Sequence, residues 1–201
     1  MVKISELNTA RINETYLPTK WGKFKIVAYD NHRDRNMPHL AIVSENFDPK
    51  KTITMRIHSE CMTGDIFGSS RCDCGPQLER AMEIINEEGG VILYMRQEGR
   101  GIGLINKLKA YNLQDKGYNT VEANTHQGLE SDARTYEEAV DMLNDLGISK
   151  VNLMTNNPLK IKALEDSNIE IVKRVPHEIP AIPENYNYLK TKKDLMGHML
   201  K

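Results

Sequence analysis

The sequence predicts an α+β (mixed α/β) fold in a single compact domain, with a strand-rich N-terminal half and helices and further strands in the C-terminal half. Three observations carry that expectation. Apolar residues alternate with period two ahead of residue 60, they recur at helical spacing from residue 76 onward, and the two kinds of segment mix without a regular strand–helix–strand rhythm. At 201 residues the chain can bury a core without disulfide staples. It reads as one domain over 1–201, with 1–13 as an N-terminal extension and 176–201 as a mostly irregular tail.

Residues 23–29 and 39–45 are the first strand candidates, separated by the polar, turn-rich stretch 30–38. Ile53, Met55 and Ile57 alternate with Thr52, Thr54 and Arg56, the pattern of a half-buried strand. The first helix is predicted over 76–88. Pro76 suits a first helical position, Leu78, Ala81, Met82 and Ile85 form one apolar stripe, and Gly89 and Gly90 supply the stop. The apolar run 91–95 reads as a buried strand leading into RQEGRGIG (96–103). Helices are expected over 104–115 and 136–146, the second with Tyr136, Ala139, Val140 and Leu143 on one face. A strand at 151–154, a helix starting near Pro158 and a strand at 169–175 complete the regular elements. Pro180 and Pro183 interrupt the tail, which leaves room for a short helix over 191–200.

The net charge of -1 provides no global basic field, so a general nucleic-acid binder is not suggested, though local basic clusters could still hold an anion. No apolar run approaches the roughly 18 residues of a membrane helix, and the N-terminus lacks the apolar core of a secretory signal. A cytoplasmic setting is therefore expected, with no membrane partner. All three cysteines, Cys61, Cys72 and Cys74, fall in one short window, which in a reducing compartment favours a metal over a disulfide.

Cys-x10-Cys-x-Cys places three thiolates where they can share one ion, and three sulfurs leave the fourth tetrahedral position open for catalysis. Arg71, beside Cys72, would lower thiol pKa values. The alternatives are three packed cysteines or a closed structural site completed by His58. The zinc deaminase template matches His58-Ser59-Glu60 but fails at Cys72-Asp73-Cys74, which lacks the two-residue spacer and the preceding proline.

Three further segments offer polar chemistry. RQEGRG (96–101) sets two arginines, Glu98 and two glycines on a turn after a strand; guanidinium forks bind phosphate, and Glu98 can accept from the N1–H and amine of a guanine. Standing alone, it reads equally well as a solvated hairpin tip. TNNPLK (155–160) brings Thr155 and Lys160 to a helix start, where they can hold phosphate, although Asn-Pro there is also a plain cap. SDARTYEE (131–138) puts Asp132 and Arg134 before a helix whose Thr135 and Glu138 fit a capping box. Capping accounts for Asp132 but not for Arg134, since a cation at a helix N-terminus is mildly unfavourable. Arg56 reads either as surface charge or as a phosphate contact.

In the order RIHSEC, RCDCG, RQEGRGIGL, NKLKAYNLQDKGY, TVEAN, Asp-x-Arg and LMTNNP, the chain resembles GTP cyclohydrolase II over roughly residues 14–200. The resemblance implies a single domain of that type, in the stand-alone form, since no segment is left for the dihydroxybutanone-phosphate synthase domain that some members carry. It implies that Cys61, Cys72 and Cys74 hold a catalytic Zn²⁺, where water attacks C8 of the guanine ring, formate leaves and a diaminopyrimidinone riboside results. Tyr111 matches the tyrosine that assists this ring chemistry. Arg56, Ile57, His58, Ser59, Glu60, Gln77, Glu98, Gly99, Arg100, Thr120, Thr155 and Lys160 match GTP-contacting positions. Asp132 matches the proton acceptor, and Arg134 the residue acting at the α-phosphate as pyrophosphate leaves. Arginine stays protonated in proteins, so a transition-state clamp explains Arg134 more simply than a nucleophile. Mg²⁺ on the phosphates and a homodimer are also implied. The sequence departs from the family at THQGLES (125–131), where relatives are more apolar; His126 there is expected to be an exposed loop residue. A nucleotide-sensing module without turnover is the competing expectation.

Overall fold

The structure, a computed structural model, describes residues 9–34 and 36–201. Most of the expected 1–13 extension lies outside the described residues, and its last three residues open the first strand. The described chain forms a seven-stranded mixed sheet in the order β1-β2-β3-β5-β4-β6-β7. β1 (Arg11–Thr19), β2 (Gly22–Tyr29) and β3 (His39–Ser44) make an antiparallel meander that joins β5 (Gly90–Met95). From β5 the sheet continues in parallel through β4 (Ile53–Ser59), β6 (Lys150–Met154) and β7 (Glu170–Val175).

Helices cover both faces of the parallel half. α1 (Met62–Asp65) and α2 (Cys74–Glu88) follow β4, and α2 packs Ala81, Met82 and Ile85 with Phe24, Ile92 and Met154 on one face. α3 (Leu104–Gln114) and α4 (Thr120–Thr125) lead to α5 (Glu137–Asp145), and α6 (Pro158–Glu165) joins β6 to β7. α5 and α6 bury Ala139, Met142, Leu143 and Leu164 against Val27, Ile57, Leu93 and Leu153 on the other face. The chain thus contains two strand–helix–strand crossovers, β4–α2–β5 and β6–α6–β7, which the uneven sequence rhythm concealed.

Two expectations are corrected here. β4 is not half-buried, because it lies centrally with helices on both faces, and Arg56 is 7% exposed. The helix of the tail, α7 (Tyr186–Met196), runs for eleven residues and starts five residues before the short one expected. β1 had no alternating signature to announce it. It is a mostly exposed edge strand, held by its ladder to β2 and by Arg11 on Asp145 at 2.7 Å.

Candidate active site

In sheets of this kind ligands gather beyond the carboxyl ends of the parallel strands. All four parallel strands deliver polar groups there: β4 runs into Glu60 and Cys61, β5 into Arg96–Gly101, β6 into Thr155–Asn157 and β7 into His177. They line one cleft together with α3, α4 and the C-terminal segment.

Cys61, Cys72 and Cys74 meet at one end of it, their sulfurs all within 4.8 Å of one another and Cys61 Sγ 3.6 Å from Cys72 Sγ. Four bonds of about 2.3 Å to a tetrahedral zinc would set sulfurs roughly 3.8 Å apart, so the donor set and its spacing fit that ion. The cradle depends on Gly64. A Cβ there would lie 2.9 Å from Cys72 Sγ and 3.2 Å from Cys61 Sγ, and one on Gly75 would lie 2.4 Å from the Gly64 carbonyl, so α1 and the start of α2 touch through two glycines. His58 does not complete the set. Arg56 Nε donates to its Nδ1 at 3.3 Å, which leaves the proton on Nε2, 3.1 Å from both Asp65 oxygens. Burial, ahead of the Asp65 hydrogen bond, pushes its pKa down and keeps the ring neutral. Asp65 also accepts from Cys61 N–H at 2.9 Å and the Tyr94 hydroxyl at 2.9 Å.

Lys107 on α3 donates to Cys61 Sγ at 3.0 Å and to Glu98 Oε1 at 2.9 Å. Hydrogen bonds from Cys72 and Cys74, then the Lys107 charge, hold the Cys61 thiol far below its usual value. The bonded, charged Cys61 in turn pushes Cys72 up to about 11, and its hydrogen bond, with that of Cys72, holds Cys74 well above its usual value. A cation bound among the three sulfurs would favour the second and third thiolates. Tyr111, one turn after Lys107, contacts Thr63 Oγ1 at 3.2 Å, and burial raises its phenol pKa so that it stays protonated.

Glu98 anchors the 96–101 segment. Its oxygens accept from Met62 N at 2.6 Å and Gly99 N at 2.7 Å besides Lys107, so three of roughly four lone-pair sites are committed inside the protein. This segment is no solvated hairpin tip. It forms a tight 3-10 turn in which Arg100 adopts φ 62°, a left-handed conformation that costs about 1–3 kcal/mol outside glycine. The Arg100 Nη1 and Nη2 atoms are buried with no hydrogen-bond partner among the described residues. Ala133 N–H donates to the Arg100 carbonyl at 3.0 Å, which joins the turn to the Asp132–Arg134 loop. Arg134 pairs with Asp132 through two bonds and reaches Ser59 Oγ at 3.4 Å. The Thr135–Glu138 capping box does not form. α5 begins only at Glu137, and Glu138 goes to His39 at 3.0 Å; the box forms instead at Asn119 and Glu122, on α4.

Lys160 is 6% exposed, with Nζ on the Ile57 carbonyl at 2.7 Å; burial, then the charges of Arg134 and Arg56, push its pKa well down. Asn157 caps α6 by accepting from Leu159 N–H at 2.9 Å, so the capping reading of TNNP holds alongside the cleft position of Thr155. Glu60 faces Arg96 at 3.0 Å, and Gln77 accepts from Arg56. Gly99 and Thr120 also line the cleft. Ile57 does not, because its side chain is in the core. Asp132 reaches the cleft only through Arg134. His126 is exposed, edge-on to Tyr118 and away from the lining.

Sequence reading missed Asp73, Lys107, His177, Tyr188, Lys192 and His198, all of which line the cleft. A signal existed for Lys107, since Lys107 and Tyr111 are four apart and share a face of α3.

Among the described residues no helix is long and apolar enough to cross a membrane. A family model described as GTP cyclohydrolase II matches residues 10–176. "Riboflavin biosynthesis protein RibBA" of Cytophaga hutchinsonii is 52% identical over 92% of this chain and 45% of its own length. The proteins of the same name from Bacillus cereus (strain ATCC 14579) and Chlorobium phaeovibrioides are 49% and 50% identical, over 97% and 94% of this chain and 49% and 46% of theirs. The chain spans about half the length of the curated relatives it matches.

Proposed function

Because the chain belongs to the GTP cyclohydrolase II family, we propose that it hydrolyses GTP, opening the guanine imidazole ring at C8 and releasing formate and pyrophosphate in the first step of riboflavin synthesis. The product is a diaminopyrimidinone riboside 5′-phosphate. One observation carries the reading: among the described residues a three-sulfur centre, with no fourth His, Cys, Asp or Glu grouped with it, shares its cleft with Arg100, whose two terminal nitrogens lack hydrogen-bond partners, and with buried Lys160.

Cys61, Cys72 and Cys74 would hold the zinc, which would supply Lewis acidity and an activated water for the hydrolysis. The chain's own groups do the rest. Arg100, with two free guanidinium nitrogens, and Lys160, short of negative charge, bind the phosphates. Protonated Tyr111, beside Thr63 and the sulfurs, donates toward the opening ring. Arg134, its Nε and Nη2 tied to Asp132, stabilises charge at the α-phosphate. Arg56, His58, Ser59, Glu60, Gln77, Gly99, Thr120 and Thr155 shape the cleft around the nucleotide. Glu98 holds Lys107 and the turn in place, while Ile57 contributes through its carbonyl on Lys160. Mg²⁺ on the phosphates, a homodimer and a cytoplasmic setting belong to the same reading on family resemblance.

Incubating the purified protein with GTP, Zn²⁺ and Mg²⁺ tests it. Formate and pyrophosphate should appear together. GTP bound and recovered intact from the zinc-loaded protein would replace turnover with nucleotide sensing.

A further inference from the structure

The family match ends at residue 176, yet α7, beyond it, reaches the metal-binding end of the cleft. Lys192 Nζ donates to Asp73 Oδ1 at 2.8 Å, with the two side chains 12% and 2% exposed. Asp73 stands between Cys72 and Cys74. It occupies the N-cap of α2 but makes no side-chain cap bond; its oxygens go instead to Lys192 and, at 2.5 Å, to Gln77 Nε2. An aspartate at that position ordinarily accepts from helix N–H groups, so this one is diverted from capping.

The bonds continue across the floor of the cleft. Gln77 accepts from Arg56, Arg56 donates to His58, His58 to Asp65, and Asp65 accepts from the Cys61 N–H. One hydrogen-bonded chain therefore runs from α7 through both segments that carry the cysteines. The tail has other anchors that do not involve Lys192: Met199 N–H on the Asn156 carbonyl at 2.9 Å, His177 Nε2 on the Gln77 carbonyl at 2.8 Å, and Arg80 on the Glu178 carbonyl at 2.9 Å. Tyr188, one turn earlier on α7, places its ring 4.4 Å from Lys192 Nζ and 5.9 Å from the Arg100 guanidinium.

We propose that Lys192 is a positioning residue for the three-cysteine centre, holding the Cys72–Cys74 turn in its ligating shape through Asp73 and so making the C-terminal helix part of the active site. The inference rests on reading the cleft as a zinc site. Partners that orient metal ligands from outside the coordination sphere typically cost about 10–100-fold in metal affinity when removed. Lys192 should act at that level, because without it Asp73 is a buried charge whose remaining tie is Gln77.

The test compares wild type, Lys192→Met and Lys192→Arg in the full chain, with two readings. One is zinc affinity by competition with a chromophoric chelator. The other is the iodoacetamide alkylation rate of Cys72 and Cys74 in the metal-free protein, read by mass spectrometry. Lys192→Met should weaken zinc about 10–100-fold and expose both thiols to faster alkylation, and Lys192→Arg should restore most of each. A folded Lys192→Met with wild-type affinity and alkylation would overturn the proposal and leave Lys192 a simple tail anchor. Wild type that binds no zinc would defeat the proposed function instead, and the alkylation comparison would still decide Lys192. If Lys192→Met does not fold, the double variant Lys192→Met with Asp73→Asn, which removes the tie and the unpaired buried charge together, is read in the same two ways, and unchanged values again overturn the proposal.

Discussion

Arg134 and Asp132, two residues apart, close on each other fork to fork. Nε sits on Oδ1 at 2.8 Å and Nη2 on Oδ2 at 2.5 Å, with both side chains 10% exposed. Burial would lower the guanidinium pKa, but the Asp132 hydrogen bond and the charges around it more than offset that and raise it above its ordinary value. A guanidinium held this way stays protonated, which suits a charge clamp and not a nucleophile. Arg134→Lys keeps a charge but loses the fork, and pyrophosphate release should fall by about 10³-fold or more, the scale of a lost arginine finger. A guanylyl adduct trapped on Arg134 would refute the clamp.

Gly64 presses directly against the sulfurs, so Gly64→Ala should damage the metal centre while sparing the sheet. Zinc affinity should fall at least about tenfold. Metal content after dialysis against a weak chelator, read beside far-ultraviolet circular dichroism, checks this; full zinc occupancy at wild-type affinity contradicts it.

Lys107 helps the Cys72 and Cys74 hydrogen bonds make Cys61 the first thiol to ionise. Its ammonium, 3.0 Å from Cys61 Sγ, adds to the cysteine hydrogen bonds that hold that thiol low. Lys107→Met should raise the Cys61 pKa and slow its alkylation at pH 6 about tenfold or more in metal-free protein. An unchanged rate would show that the neighbouring thiols suffice.

His177 predicts an acid-sensitive fold. Its Nε2 donates to the Gln77 carbonyl, its Nδ1 is buried without a hydrogen-bond partner among the described residues, and burial lowers its pKa to about 3. The folded value lies below the unfolded value of about 6.5, so the unfolded chain binds the extra proton. Stability from this group is complete above about pH 6.5 and is lost as pH falls toward 3. The loss should reach roughly 2–3 kcal/mol by pH 4.5 in denaturant titrations, and His177→Gln should flatten the slope.

Sequence was a good guide where periodicity and motif spacing act locally. The expected helix over 76–88 is α2 with two further residues at its start, and 104–115 is α3. The cysteine window does converge. What escaped were features that depend on partners distant in the chain. β1 is polar and almost fully exposed, so no alternation marks it. Arg56 looked like a solvent-side residue of an alternating strand until α2 covered that face. Lys192 meets Asp73 across 119 positions, so no local pattern could pair them even though a helix was expected to carry Lys192. Glu98 accepts from groups at 62, 99 and 107, which take three of its roughly four lone-pair sites and which no local pattern announced.

The most direct test of the central claim follows one atom. GTP labelled with ¹³C at C8 is incubated with the zinc-loaded protein and Mg²⁺, and the carbon is tracked by NMR. The expected result is transfer of the label to formate, stopped by zinc chelation and by Cys74→Ala. Label retained in an intact purine ring, with zinc bound and GTP present in excess, would contradict ring opening at this site.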